Sequence, residues 1–225
     1  MTELTGPEKI RGIFFDFEGT LVNFQWRIVP AIKEVLEALE LLGVTPRMLG
    51  GNPNYAQILN RVYDLTKGND ASAGTRALDL VHEVYDRYDA DALTRWQLLP
   101  EAHAVLTTLK ARKFKLAMVS NIGEAVLSTA MEKLHIKPFF DCVISRNHVS
   151  YLKPHPGGLI AAAGQVGIRP HQVLFVGDSV NDIVAARDAG MHAGYLVGGE
   201  DTVIGVEEQT ADIRLKSLAD LLSLA

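Results

Sequence analysis

Three observations on this 225-residue sequence predict an α/β fold: a doubly wound, mostly parallel sheet interrupted after its first strand by a helical insert. Short, near-continuous apolar runs recur along the chain, as expected of strands buried on both faces of a parallel sheet. Amphipathic helical stretches separate them, which is the strand–helix alternation of such a sheet. Between Asn23 and Gln97 the runs stop while helical periodicity continues.

Taken in order, the first run is Ile13 to Asp16. The insert follows, with stripes at Ile32, Val35, Leu36, Leu39 and Leu42, then at Tyr55, Ile58, Leu59, Val62 and Leu65, then at Ala77, Leu80, Val81, Val84, Tyr85 and Tyr88. Gly43 suits a helix C-terminus, and Gly50 to Asn54 reads as a mobile turn able to face the catalytic pocket. The remaining runs are Leu116 to Ser120, Cys142 to Ser145, Val173 to Val176 and Tyr195 to Val197. Helical stripes at Ala102, Val105, Leu106 and Leu109 and at Val126, Leu127, Ala130, Met131 and Leu134 lie among them. The expected organisation is a Rossmann-like core formed by residues 1–22 and 98–225, with a helical unit at 23–97.

Hydrophobic residues make up 48% of the chain and charged residues 22%, with a net charge of −5. That balance suits a globular enzyme and disfavours a nucleic-acid partner, which needs a basic surface. The single cysteine, Cys142, excludes an internal disulfide and favours a reducing compartment. The N-terminal MTELTGPEKIRG lacks the apolar stretch of a signal peptide, and no apolar run approaches the ~18 residues of a membrane span. A cytoplasmic protein without membrane contact is expected; oligomeric state is left open.

In open α/β sheets the site lies outside the carboxyl ends of the strands. There the sequence places Asp16 and Glu18, Ser120 and Asn121, Lys153, and Asp178 with Asp182. Each has a plainer reading alone: a solvated strand end, a helix cap, a surface lysine, a turn. Together they are more coherent. Asp16, Asp178 and Asp182 are hard oxygen donors of the kind Mg²⁺ prefers, and without a cation they would repel one another. Lys153, Ser120, Asn121 and the amides of the helix after Asn121 supply donors for phosphate oxygens. A carboxylate nucleophile divides a slow phosphate-ester hydrolysis into two steps. The seven histidines show no i, i+4 or H-x-H pairing, so zinc is not indicated.

FFDFEGTL, MVSN, LKPHP and VGDSVND, in this order and with an insert of this size, resemble the four motifs of haloacid dehalogenase superfamily phosphatases whose helical cap follows strand one. The resemblance spans nearly the whole chain and is nearest to the phosphoglycolate-phosphatase-like branch. It implies Asp16 as nucleophile and Lys153 bridging nucleophile and phosphate. It also implies Thr20, Ser120, Asn121 and Lys153 as phosphate-binding residues. Mg²⁺ would be held by Asp16, the Glu18 backbone carbonyl, Asp178 and Asp182. Where the family usually has an acid/base Asp, this chain has Glu18, about 1.5 Å longer in reach. Enolase-phosphatases share that Glu in a D-x-E-G-T motif, but the rest of the chain resembles them less. Glu18 is read as the acid/base.

The expected activity is Mg²⁺-dependent hydrolysis of a small phosphorylated metabolite, phosphoglycolate-like, through a phospho-aspartyl intermediate. A phosphomutase of the same superfamily, or a catalytically weak relative binding a phosphorylated ligand or protein, is the alternative. Arg27, Arg47, Arg61, Lys67 and Arg76 are the candidate cap donors to substrate. Tyr63, Tyr85, Tyr88, Trp26 and Trp96 read as core.

Overall fold

The computed structural model describes residues 9–68, 71–199 and 211–223. The first eight residues, most of the segment read as lacking a signal peptide, lie outside them. No helix among the described residues is long and apolar enough to cross a membrane.

Six strands form one sheet: β1 (Gly12–Phe15), β2 (Lys115–Val119), β3 (Cys142–Ile144), β4 (Val173–Gly177), β5 (His192–Leu196) and β6 (Ile213–Leu215). Their order is β3-β2-β1-β4-β5-β6, and every pairing is parallel. The sheet is buried on both faces. Ile13 and Phe15 of β1 enter the larger apolar cluster, while Phe14 between them enters the smaller one. Helices α4 (Ala102–Ala111) and α5 (Glu124–Lys133) supply the first cluster. On the other face lie α6 (Gly157–Val166) and α7 (Val180–Asp188). Two runs differ from expectation. β5 begins three residues before Tyr195, because Ala193 and Gly194 are buried despite carrying little apolar surface. β6 was not foreseen: it is a three-residue edge strand with exposed Arg214 at its centre.

Between β1 and α4 the described chain has only helices: α1 (Ile28–Leu41), α2 (Tyr55–Leu65) and α3 (Ala71–Leu93), with a short 3₁₀ turn at Pro46–Leu49. They bury the predicted stripes against one another and on the larger cluster, with the α1 face centred on Ala31, Val35 and Leu39; Leu42 is the exception, exposed just past the end of α1. Gly43 takes the left-handed conformation just past α1. Asn54 caps α2: its Oδ1 accepts the Gln57 N–H at 2.9 Å, and Gln57 Oε1 accepts the Asn54 N–H at 2.9 Å. The two connections to the sheet run as a pair. The Asn23 N–H donates to Gln97 O at 3.1 Å, and the Leu99 N–H to Leu21 O at 2.9 Å.

The strand order reverses between β1 and β4, so a crevice opens outside their carboxyl ends. Asp16 follows β1 and Asp178 follows β4. The topology alone brings these two carboxylates side by side.

Candidate active site

Asp16, Asp178 and Asp182 each offer a carboxylate oxygen within 4.8 Å of the others. Lys153 lies against two of them, its Nζ 2.7 Å from Asp16 Oδ1 and 2.7 Å from Asp182 Oδ1. Asp182 Oδ2 accepts the Ser179 N–H at 3.1 Å and the Ser179 hydroxyl at 2.7 Å, so this residue both ties down the start of α7 and faces the lysine. The Thr20 hydroxyl donates to Asp178 Oδ1 at 3.1 Å. Two glycines leave room for this packing. A Cβ on Gly19 would meet Asp178 Oδ2 at 2.1 Å, and one on Gly177 would meet the Asp182 side chain at 2.3 Å.

Burial pushes the Asp16 carboxyl up to about 6, against the opposing pull of Lys153. Burial likewise works against the Lys153 ammonium, but Asp16 and Asp182 outweigh it and hold its pKa above the ordinary lysine value. Three clustered carboxylates, two of them against the Lys153 ammonium, form a hard oxygen-donor set that fits Mg²⁺.

Glu18 is buried, and three donors converge on its Oε1: the Gln25 N–H at 2.6 Å, the Trp26 N–H at 2.6 Å and the Trp96 indole N–H at 2.8 Å. Burial raises its carboxyl to about 7, with those hydrogen bonds opposing. A carboxyl poised near neutrality suits a group that gives and takes a proton.

Ser120 and Asn121 follow β2. The Ser120 Oγ accepts the Ile122 N–H at 3.3 Å, and its own O–H has no acceptor among the described residues. The Asn121 carboxamide clasps the backbone of Lys153, accepting its N–H at 3.1 Å and donating to its carbonyl at 3.3 Å, and it also donates to the Tyr55 hydroxyl at 3.2 Å. This revises two expectations. The Asn121 side chain is committed to placing Lys153. The Gly123 N–H just before α5 and the first amide of the helix are likewise engaged, Gly123 N–H with Asp89 Oδ2 and Glu124 N–H with Asn147 Oδ1. Of the predicted anion donors on this turn, the Asn121 N–H and the Ser120 hydroxyl are the groups left without a protein acceptor among the described residues.

These groups line a cleft of about 40 Å³ whose other wall is aromatic. Asp16, Glu18, Ser120, Asn121, Lys153 and Asp182 form the sheet side, and Phe24, Trp26, Tyr55 and Tyr85 the side of the helical segment. Thr20 and Asp178 lie beneath rather than on the surface of the cleft. Trp26 stands at the centre of the aromatic wall, its ring centroid 5.3 Å from that of Tyr55 and 5.5 Å from that of Tyr85. The tryptophan and tyrosine read as core are therefore core on one side and cleft wall on the other. None of Arg27, Arg47, Arg61, Lys67 and Arg76 lines the cleft. Lys67 instead donates to the Tyr151 hydroxyl at 2.6 Å. The Gly50–Asn54 turn does not line it either; Tyr55, directly after it, does.

Sequence reasoning missed Asp89, Arg146 and Asn60. Asp89 is fully buried on α3, where it accepts the Trp26 indole N–H at 2.9 Å, the Gly123 N–H at 2.9 Å and Arg146 Nη2 at 2.8 Å. Asn60 on α2 pairs with the backbone of Leu152, accepting its N–H at 2.7 Å and donating to its carbonyl at 3.1 Å. The only signal in the sequence for Asp89 was its i+4 spacing from Tyr85, on the buried face of α3.

Residues 10–190 match the haloacid dehalogenase-like hydrolase family. The phosphoglycolate phosphatase of Escherichia coli strain K12 is 31% identical over 232 residues, covering 96% of this chain and 92% of the relative. That of Salmonella typhimurium is 30% identical over 233 residues, again covering 96% and 92%. Among solved structures, a predicted phosphoglycolate phosphatase from Haemophilus somnus superposes with a TM-score of 0.66 at 24% identity, covering 97% of this chain and 99% of that one.

Proposed function

The chain belongs to the haloacid dehalogenase-like hydrolases, in the phosphoglycolate-phosphatase-like branch, and as a phosphoric monoester hydrolase we propose that it acts through a phospho-aspartyl intermediate on Asp16. The observation that carries this reading is the position of Lys153, whose ammonium sits between Asp16 and Asp182 at 2.7 Å from each, at the point where the strand order reverses.

Asp16 attacks phosphorus, and the bond from phosphorus to the ester oxygen breaks. Glu18, protonated, gives its proton to that leaving oxygen. Water then attacks phosphorus and passes a proton to Glu18, and the bond from phosphorus to Asp16 breaks, restoring both carboxyl groups and releasing inorganic phosphate. The Ser120 hydroxyl, the Asn121 N–H and Lys153 hold the phosphoryl oxygens. Asp16, Asp178, Asp182 and the Glu18 carbonyl would hold Mg²⁺, which would supply positive charge against the charge of the phosphoryl group.

Residues 23–97 act as the cap that closes the aromatic wall over the cleft and excludes water. The Escherichia coli and Salmonella relatives are phosphoglycolate phosphatases, and phosphoglycolate is the substrate we put first. The reading also keeps the enzyme in the cytoplasm, in line with its single cysteine.

The test is phosphate release from phosphoglycolate with Mg²⁺ or with chelator, for the wild type and Asp16→Asn. Turnover that needs Mg²⁺ and disappears in Asp16→Asn is expected. Undiminished turnover in Asp16→Asn would overturn the nucleophile assignment, and full turnover in chelator the metal assignment. Hydrolysis of other small phosphate esters but not phosphoglycolate would correct the substrate alone.

A further inference from the structure

We infer that Trp96 is a positioning residue, whose indole N–H fixes the carboxyl of Glu18 at the longer reach that Glu has over Asp. The inference rests on the reading of Glu18 as the acid/base. All three donors to this side chain meet on Oε1, and none among the described residues reaches Oε2. One oxygen is held and the other is left to exchange a proton in the cleft that Glu18 lines.

Two of the donors, the Gln25 and Trp26 N–H groups, belong to the main chain and would be present whatever side chains stood there. The indole of Trp96 is the one side-chain donor, so the match to a glutamate is made here. Its position is itself fixed. The ring is buried and packs edge-on against Phe17, with centroids 5.0 Å apart, and Phe17 lies between Asp16 and Glu18 in the chain. An aspartate at position 18 would end about 1.5 Å short. The packed indole cannot follow it, and at 2.8 Å the present bond leaves no slack. A free glutamate would sample several rotamers, whereas proton transfer needs one. Merely satisfying a buried indole N–H would require only a main-chain carbonyl. Here it takes the same oxygen as two amides.

The experiment is a double-mutant cycle between Trp96→Phe and Glu18→Asp, read as kcat and KM for p-nitrophenyl phosphate with Mg²⁺. Its leaving group departs without a proton, so turnover reads mainly the step in which Glu18 takes a proton from water. We expect Trp96→Phe to lower kcat about tenfold to a hundredfold with KM little changed. Trp96→Phe combined with Glu18→Asp should cost no more than Glu18→Asp alone. Because Phe leaves a gap, the isosteric benzothienylalanine, which lacks only the N–H, is placed at position 96 as a second variant and should reproduce the loss. An equal loss from Trp96→Phe in both backgrounds would make the ring structural and overturn the inference, as would full turnover with benzothienylalanine. Full turnover in Glu18→Gln would instead remove the acid/base reading itself, and the inference with it.

Discussion

Two groups of buried charge face the same cleft, and they are balanced differently. At the strand ends, Lys153 lies against Asp16 and Asp182, with Asp178 beside them. Across the cleft, Asp89 on α3 meets Arg146, with the half-exposed Asp86 on its outer side, and Asp89 also accepts from Trp26 and Gly123. Among the described residues the first group has three carboxylates to one ammonium, whereas the second pairs a buried carboxylate with a buried guanidinium of which only Nε lacks a hydrogen-bond partner. A buried charge left unbalanced needs a ligand, while a balanced one holds segments together. The same residue type is placed for chemistry in one group and for architecture in the other.

Four substitutions break or sharpen this contrast. The largest effect belongs to Asp16→Asn, which should lower phosphate release on the order of 10⁴-fold or more while leaving urea unfolding unimpaired, since it relieves repulsion among carboxylates. Asp89→Asn should do the reverse on stability, costing about 3–5 kcal/mol in urea unfolding because the buried Arg146 loses its buried carboxylate and keeps only the half-exposed Asp86. If Asp89→Asn proves neutral, the distinction between the groups fails.

Asn60→Ala should be milder, about 1–3 kcal/mol, since it strips partners from the Leu152 N–H and carbonyl. A few-fold drop in kcat should accompany it, as Lys153 loses a brace one residue away. The smallest change in stability is expected for Asp178→Asn. In chelator its melting temperature should match or slightly exceed that of wild type, but the stabilisation Mg²⁺ confers on wild type by binding the native state should disappear. An Mg²⁺-induced rise that persists in Asp178→Asn would place the ion elsewhere.

The contrast also explains how much could be read from the sequence. The strand-end group was legible because β1, β2 and β4 are unbroken apolar runs and parallel topology sends whatever follows them to one edge. Asp89 was not, because it sits in a stretch of α3 between the exposed Asp86 and the half-buried Asp91, and only its spacing from Tyr85 marks the middle carboxylate as the buried one. Arg146, in a short 3₁₀ turn after β3, looks like a surface arginine until α3 is laid over it. The cap arginines failed for the mirror-image reason: charge suggested substrate, but those faces turn to solvent or to neighbours and leave the cleft wall to aromatic rings. Pairwise partners across more than fifty residues of chain depend on packing, which periodicity does not encode.

The clasp on the lysine segment has a consequence for exchange with solvent. Leu152 and Lys153 lie outside any helix or strand, where amide hydrogens normally exchange quickly, yet both N–H groups are held by asparagine carboxamides. The two asparagines belong to different parts of the chain, Asn60 to α2 and Asn121 to the turn after β2. Deuterium uptake at Leu152 therefore times the parting of α2 from the sheet, and uptake at Lys153 times the loosening of the catalytic turn itself. Adjacent amides thus act as two separate clocks, and the ratio of their rates measures how often the cleft opens without losing the lysine's place.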